Sequence, residues 1–234
     1  MVAAEIRERL AALGDPRVAE GSRRFFKTGP GEYGEGDLFR GIRVPVLRAL
    51  AKEYRSIPLP EAVRLLGSAF HEDRLLALLL LVRLYSRGDE ASRGEIYRLY
   101  LKNTRFINSW DLVDSSAEQI VGAHLRDRSR APLGRLAKSA SLWDRRIAVM
   151  ATFHFVKRGE FRETLDLARA LLHDREDLIH KAVGWMLREV GKRDAEAEER
   201  FLRENYRRMP RTMLRYAIEK FPEERRLAYL RGEV

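Results

Sequence analysis

The feature of this chain that most constrains its fold is a helical repeat with a period in the mid-thirties. Apolar helices begin at regular intervals, and a turn and a second, more charged helix follow each of them. Aligning one residue from each apolar helix gives steps of 36, 35, 34 and 35 residues, at Ala77, Val113, Ala148, Ala182 and Ala217. Repeats of two helices at this period are typical of α-solenoids. We therefore expect an all-α fold in which equivalent helices line one concave face.

No other architecture competes with this prediction. No stretch alternates between apolar and polar residues with period two, so no strand is expected. The longest apolar run, Leu75 to Val82, is far too short to span a bilayer. The N-terminal segment forms an amphipathic pattern that carries acids, unlike a secretory signal. We expect one domain over residues 1–234, no membrane association and a cytoplasmic location.

The charge of the chain indicates a polyanionic partner. The 234 residues include 45 Lys and Arg against 35 Asp and Glu, which gives a formal net charge of +10. Such a balance favours nucleic acid, although a charge-laced solvent face is the plain alternative. Cysteine is absent, which excludes disulfides, thiol nucleophiles and Cys-based zinc sites. The five histidines are scattered and no HExxH motif occurs, so we expect neither a metal nor a cofactor.

A glycine-rich segment, Thr28 to Asp37, is the one extended break in the helical pattern. Its four glycines invite comparison with a phosphate-binding loop. However, no strand precedes the segment and no Gly-Lys-Ser/Thr follows it, and Glu32, Glu35 and Asp37 would repel phosphate. We interpret it as a surface loop.

The three tryptophans occupy similar places in the repeat. Trp110 and Trp143 begin helices in polar surroundings, and Trp185 lies in a helix of the same class. Trp110 and Asp114 are four residues apart, so an indole and a carboxylate share one helix face. Such groups can hold a cation or stack on exposed bases. The plain alternatives are core packing for each Trp and helix capping for Asp114.

Four segments together resemble the AlkD-like DNA alkylation repair proteins. They are Ser109 to Asp114, Trp143 to Arg146, Lys181 to Glu189 and the earlier Phe39 to Pro45. The likeness extends from about residue 20 to residue 220 in matching order and spacing. It implies an α-solenoid of HEAT-like repeats with a basic concave DNA-binding face. It also implies a DNA glycosylase that hydrolyses the N-glycosidic bond of N3- and N7-alkylated purines without flipping the base.

The resemblance also implies roles for individual residues. Asp114 corresponds to the catalytic aspartate, Trp110 and Trp185 to the aromatic residues that contact the damaged nucleotide, and Arg146 to a supporting arginine. Arg188 matches an arginine that contacts DNA. We further expect a DNA-binding surface to include Trp143, Arg145, Lys181 and Arg43. The partner would be double-stranded DNA with alkylated bases, bound by a metal-free monomer that is nucleoid-associated when on DNA.

The chemistry of the lesion is compatible with a single carboxylate. An N3- or N7-alkylated purine is cationic and leaves without a general acid, so the enzyme must stabilise an oxocarbenium-like sugar and place a water. Two other hypotheses remain open. One is a non-catalytic solenoid that binds distorted or branched DNA or RNA, and the other is a protein-binding scaffold with incidental positive charge.

Overall fold

The computed structural model describes residues 2–234, and their regular structure is helical. Within that range the only strand-like pairing is an isolated parallel bridge between Leu38 and Phe70. The prediction of an all-α chain is therefore confirmed. None of the helices in the described part is long and apolar enough to cross a membrane. Backbone contacts divide the chain into a first unit that ends at Ile120 and a second unit, Val121–Val234. A single domain over residues 1–234 stays a prediction.

The described part of the first unit, residues 2–120, contains seven α-helices, and a 3₁₀ turn, Thr104–Phe106, precedes the last of them. The α-helices are α1 (Val2–Ala12), α2 (Pro16–Phe25), α3 (Val44–Glu53), α4 (Leu59–Leu66), α5 (His71–Arg87), α6 (Glu90–Lys102) and α7 (Trp110–Asp114). Within this unit α4 packs against α1 and α5, and α5 packs against α6, as expected for repeated helix pairs.

Local sequence signals explain where these helices begin. The Asp15 carboxylate accepts hydrogen bonds from the backbone N–H groups of Arg17 (2.8 Å) and Val18 (3.3 Å), with Pro16 at the first helical position. This is the capping arrangement that the sequence predicts for α2. Helix α3 starts at Val44, one residue before Pro45. Such differences of a residue are normal at helix ends.

Helix α5 is the centre of the first unit and packs against α3, α4, α6 and α7. Its apolar run is buried on nearly all sides, including Leu75 to Leu78 and Leu80 to Leu81. A helix that is apolar all round is a core helix. The apolar run that begins at Leu75, which is too short to span a bilayer, therefore forms the hydrophobic core of this unit.

The second unit contains nine α-helices, and a π-helical segment, Glu118–Gly122, leads into the first of them. They are α8 (Ala123–Leu125), α9 (Ala131–Leu136), α10 (Leu142–Ala151), α11 (Phe153–Val156), α12 (Arg162–Ala170), α13 (Asp177–Gly191), α14 (Ala195–Asn205), α15 (Arg211–Ala217) and α16 (Glu223–Arg231). A 3₁₀ turn, Ile218–Lys220, lies between α15 and α16. Helix α13 packs against α10, α11, α12, α14 and α15, so it is the counterpart of α5.

The helices of the repeat begin where the period predicts. Each of the five aligned residues, Ala77 to Ala217, lies three to six residues after the start of a helix. These helices are α5, α7, α10, α13 and α15. More charged helices follow four of them: α6, α12, α14 and α16. Helix α9, which follows α7, carries a single arginine. The alternation of apolar and charged helices confirms the α-solenoid class of the fold.

Close helix packing in the second unit depends on glycine. A Cβ atom at Gly184 of α13 would lie 2.4 Å from the Met213 carbonyl oxygen and 2.5 Å from the Tyr216 Cβ on α15. A Cβ atom at Gly122 would lie 2.2 Å from the Ala151 carbonyl oxygen. Backbone atoms at these distances cannot move aside cheaply, so both positions require glycine.

We predict that Gly184→Ala lowers the free energy of unfolding by about 1–3 kcal/mol, because the added methyl group forces α13 and α15 apart. The measurement is the midpoint of urea denaturation followed by circular dichroism. The matched control is Gly134→Ala, in α9, where a Cβ atom meets nothing within 4 Å. That substitution should be neutral or stabilising by up to about 1 kcal/mol. Equal midpoints for the two variants would contradict the packing argument.

Candidate functional site

Helix α7 carries two of the candidate residues on one short, well-anchored element. Trp110 and Asp114 are its first and last residues, both half-buried and one turn apart. Leu112 and Val113 between them are fully buried, and α7 packs against α5. The Asp111 carbonyl oxygen accepts from both the Ser115 hydroxyl (2.7 Å) and the Ser115 backbone N–H (3.1 Å), which ties down the end of the helix. The indole and the carboxylate are thus held by a rigid segment.

An aromatic cluster fixes the Trp110 ring, and its other members come from a distant part of the sequence. Phe26 stacks on Trp110 with ring centroids 5.5 Å apart and planes at 20°. Phe25 meets the indole edge-on at 5.9 Å and is itself 65 % exposed. Both arrangements are favourable aromatic geometries. Because Phe26 covers one indole face, a nucleotide that stacked on Trp110 would use the opposite face.

Next to Trp110, Asp111 enters a buried charge cluster. His71, at the start of α5, has one ring nitrogen (Nε2) 2.8 Å from Asp111 Oδ2 and the other (Nδ1) 2.9 Å from Asp37 Oδ2. Arg74, one turn along α5, pairs with the other oxygen of Asp37. The His71 ring is 2 % exposed and stacks on Phe39 with centroids 4.7 Å apart. The cluster connects the glycine-rich loop, α5 and α7.

The His71 side chain is positively charged at neutral pH. Burial alone would lower the pKa of the imidazole, but the hydrogen bonds to Asp111 and Asp37 outweigh it and raise the pKa to about 9. Ionised carboxylates only accept hydrogen bonds, so each ring nitrogen must donate a proton. Histidine is the one side chain that can place two such donors on opposite sides of a flat ring.

The glycine-rich loop differs in part from the sequence interpretation. Its surface acids are satisfied within the loop, since Glu32 accepts from the Gly29 N–H and Glu35 from the Gly31 N–H, both at 2.8 Å. Asp37 instead turns inward and is 9 % exposed. The N–H groups at the start of the loop therefore bind the chain's own carboxylates. Most of the loop is exposed or half-buried, as expected for a surface loop, but Asp37 is buried because its partners, His71 and Arg74, lie in a distant part of the sequence.

In the second unit, α10 and α13 pack together and carry most of the remaining candidates. Trp185 of α13 is half-buried, and its Nε1–H donates to Glu189 Oε1 (3.3 Å). Arg146 of α10 is only 4 % exposed and donates a guanidinium N–H to the Leu178 carbonyl oxygen. Both side chains thus have defined orientations within this unit.

The expected DNA-binding residues differ in how much of their charge is already engaged. Arg145 forms a double hydrogen bond with Asp174, at 2.6 and 3.3 Å. Arg188 pairs with Glu219, and Lys181 lies 2.8 Å from Asp177. By contrast, the Arg43 side chain is exposed at the N-cap of α3. Trp143, the uncharged member of this set, is half-buried at the start of α10. A DNA phosphate would compete with these carboxylates for Arg188 and Lys181.

Arg145 belongs to a hydrogen-bond pattern that recurs in both units. In the second unit, Ser139 donates to Asp144 (2.8 Å), while Arg145 donates to the carbonyl oxygens of Ser139 and Ala140. The first unit repeats these contacts with Ser68, Asp73, Arg74 and the carbonyl oxygens of Ser68 and Ala69. Sequence reasoning missed this pattern, although Asp-Arg at the start of both helices was a visible signal. The pattern orders the turn before α5 and before α10.

The described residues offer no obvious place for a metal ion. Within residues 2–234, no group of three or more His, Asp or Glu side chains is arranged to hold one. The carboxylates of Asp37 and Asp111 lie on opposite sides of the His71 ring and so do not converge on a common point.

Comparison with known proteins identifies the family. The model of the family described as DNA alkylation repair enzyme matches residues 6–221. The chain belongs to the DNA alkylation repair enzyme family. A solved structure, a predicted DNA alkylation repair enzyme from Enterococcus faecalis, is similar with a TM-score of 0.70 and 18 % sequence identity. The similarity covers 90 % of this chain and 97 % of that one, which shows a shared fold. A search of curated proteins found no match.

Membership in the DNA alkylation repair enzyme family assigns the protein a role in the repair of alkylation damage, with DNA as its partner. The family match includes both α7 in the first unit and α10 and α13 in the second. The residue roles that the resemblance implies lie inside the matched range and stay predictions.

We predict that His71 makes the stability of the protein fall as pH rises from about 6.5 to about 9. The folded state holds the His71 proton with a pKa of about 9, whereas the unfolded value is 6.5, so the contribution is complete below 6.5 and lost as pH rises through 9. The loss is on the order of 3 kcal/mol.

Urea denaturation at pH 6, 7.5 and 9 measures this effect. His71→Gln should weaken the pH dependence over that window, and the exposed His173→Gln should leave it unchanged. A His71→Gln protein with the full wild-type pH dependence would contradict the assignment.

Proposed function

We propose that the protein is a DNA glycosylase that excises positively charged N3- and N7-alkylated purines, such as 3-methyladenine and 7-methylguanine. It hydrolyses the N-glycosidic bond without flipping the base into a pocket. The proposal makes the broader family role in alkylation repair specific. It acts as a monomer on double-stranded DNA, in the cytoplasm and on the nucleoid, and requires no metal or cofactor.

The observation that carries the proposal is the pairing of Trp110 and Asp114 on α7. A half-buried carboxylate lies one helical turn from an indole whose ring Phe25 and Phe26 hold in place. Two buried residues, Leu112 and Val113, anchor the helix between them. Catalysis needs reacting groups with a fixed geometry, and a packed helix provides it. A surface that only binds DNA does not need this precision.

This pair suits a cationic lesion. The indole face attracts the positive charge of the alkylated purine, an effect of about 1–2 kcal/mol when water is excluded. As the glycosidic bond breaks, the positive charge moves to the sugar, where the Asp114 carboxylate stabilises it and orients the attacking water. The purine leaves as a neutral base without being protonated, so the site needs no general acid.

The proposal extends to residues of the second unit on the basis of the family resemblance. Trp185 would contact the damaged nucleotide, and Arg146 would support the reaction. Because Arg146 is almost fully buried and bonded to Leu178, its contribution depends on a fixed orientation. Arg188 would bind the DNA backbone by exchanging Glu219 for a phosphate.

We predict that Asp114→Asn lowers the single-turnover rate of base release by about 100-fold or more, with DNA affinity nearly unchanged. The measurement is chromatographic detection of free 7-methylguanine or 3-methyladenine from methylated duplex DNA. Asp127→Asn is the matched control, since it removes the same negative charge from an exposed position.

The outcomes of this experiment separate the candidate functions. Wild-type rates in Asp114→Asn would remove that carboxylate from the mechanism. Tight DNA binding without base release by the wild-type protein would indicate the non-catalytic DNA-binding alternative. Absence of DNA binding at low salt would favour a protein-binding scaffold.

We also predict that the affinity for duplex DNA falls steeply as the salt concentration rises. Binding releases the cations that are condensed on the DNA phosphates, and added salt opposes this release. Arg43→Ala should reduce the slope of log K against log salt by about one, since one phosphate contact is lost. The control is Arg162→Ala on the charged helix α12, because the Arg162 side chain is 87 % exposed. Equal slopes for Arg43→Ala and the wild-type protein would exclude Arg43 from the DNA interface.

A further inference from the structure

We propose that His71 is a positioning residue, which joins the glycine-rich loop to α7 and thereby sets the orientation of Trp110 for the damaged nucleotide. The inference rests on the proposed function, because it concerns the geometry of the same site. His71 itself would not touch the DNA, since its side chain is buried.

The geometry identifies His71 as a link between separate segments of the chain. Its Nδ1 lies against Asp37, 34 residues before it, and its Nε2 against Asp111, 40 residues after it. Asp111 directly follows Trp110 on α7. Any change in the His71–Asp111 bond therefore acts on the first turn of the helix that holds the indole.

Stacked rings provide a second path from His71 to Trp110. The imidazole packs against Phe26, with centroids 4.7 Å apart, and Phe26 in turn stacks on Trp110 at 5.5 Å. Phe39 covers another part of the imidazole at 4.7 Å. Phe26 and Phe39 lie on either side of the glycine-rich loop, so the docked position of the loop also determines how Trp110 is packed.

The charges around His71 require that it carry a proton for the link to hold. It is faced by Asp37 from the loop and Asp111 from α7, while Arg74 on α5 neutralises Asp37. Phe26 and Phe39 contact the imidazole through their aromatic rings. Arg40, the residue after Phe39, is paired with Asp73 in the same turn of α5. With a neutral ring, one nitrogen would present a lone pair to a carboxylate, which is repulsive in a buried setting. Loss of the proton should therefore release either the loop or α7.

The other oxygen of Asp111 strengthens this argument. Asp111 Oδ1 is buried and has no hydrogen-bond partner among residues 2–234. The Asp111 side chain is only 17 % exposed, so removing its bond to His71 would leave a largely desolvated carboxylate with less compensation for its charge. We expect α7 to shift in response, because Asp111 would then move towards water.

The matched control lies on the same helix. Asp73 is fully buried in α5 and pairs with Arg40, at 2.6 Å, and with Ser68. Asp73→Asn therefore also removes a buried charge from the first turn of α5. However, its partners precede α5 in the chain and do not belong to α7. The control separates general destabilisation from an effect on Trp110.

The test uses protein labelled with 5-fluorotryptophan, which places one ¹⁹F nucleus in each of the three tryptophans. The Trp110 signal is identified by its absence in Trp110→Phe. In wild-type protein this signal should move between pH 7 and 10.5 with a midpoint near 9, where the pKa of His71 lies. His71→Gln should abolish the titration and displace the signal at pH 7, whereas Asp73→Asn should retain both wild-type features.

A Trp110 signal that is identical in wild type and His71→Gln would overturn the proposal. So would the absence of any titration in wild-type protein up to pH 10.5, a measurement that decides the matter alone if His71→Gln does not fold. Neither result requires enzymatic activity, so the ¹⁹F measurement stays informative if the protein releases no base.

Kinetics then test the functional consequence. His71→Gln should lower the single-turnover rate of base release by about tenfold to a hundredfold, the range expected for a displaced catalytic geometry, with DNA affinity changed by less than about threefold. Asp73→Asn should keep nearly the wild-type rate at a temperature where both variants are folded. A displaced Trp110 signal with an unchanged rate would show that the link does not position the indole for the reaction.

Discussion

The structure of the first unit depends on the burial of four consecutive ionisable residues, His71 to Arg74, at the start of α5. Buried charges are costly unless each finds a partner of opposite charge or several hydrogen bonds. Glu72 accepts the backbone N–H groups of Arg40, Gly41 and Ile42, and Asp73 pairs with the Arg40 side chain. The same turn binds Asp37 and Asp111 through His71. It therefore determines the path of the chain before α3 and the place where α7 begins.

The orientation of the proposed catalytic helix follows from the His71–Asp111 contact and from the aromatic cluster beside it. Trp110 is packed by Phe25 and Phe26 from α2 and its C-cap, and Phe26 also contacts the His71 ring. The glycine-rich loop is consequently part of the support of the site, and its acids are engaged by its own backbone or buried in the charge cluster. A loop that resembles a phosphate-binding motif by composition has a different physical role here.

In the second unit, much of the positive charge that suggested a nucleic-acid partner already has a structural function. Arg145 holds Asp174 and the turn before α10, and Arg188 holds Glu219. A formal charge of +10 is thus a coarse indicator of DNA binding, because it does not distinguish paired arginines from available ones. Exposed residues such as Arg43 and pairs that can exchange a carboxylate for a phosphate are the better candidates.

The sequence by itself determined the helices, the repeat and the Trp110–Asp114 pair, because helix caps and apolar periodicity act between residues a few positions apart. The family resemblance rested on the same short segments, and the family match agrees with it. Only the tertiary structure decided that Asp37 is buried, that His71 bridges two carboxylates and that Phe26 covers Trp110. Each of those contacts joins residues at least 34 positions apart in the sequence, so no local sequence pattern marks them. A single histidine or aspartate acquires such a role only when folding removes water and brings its partner within hydrogen-bonding distance.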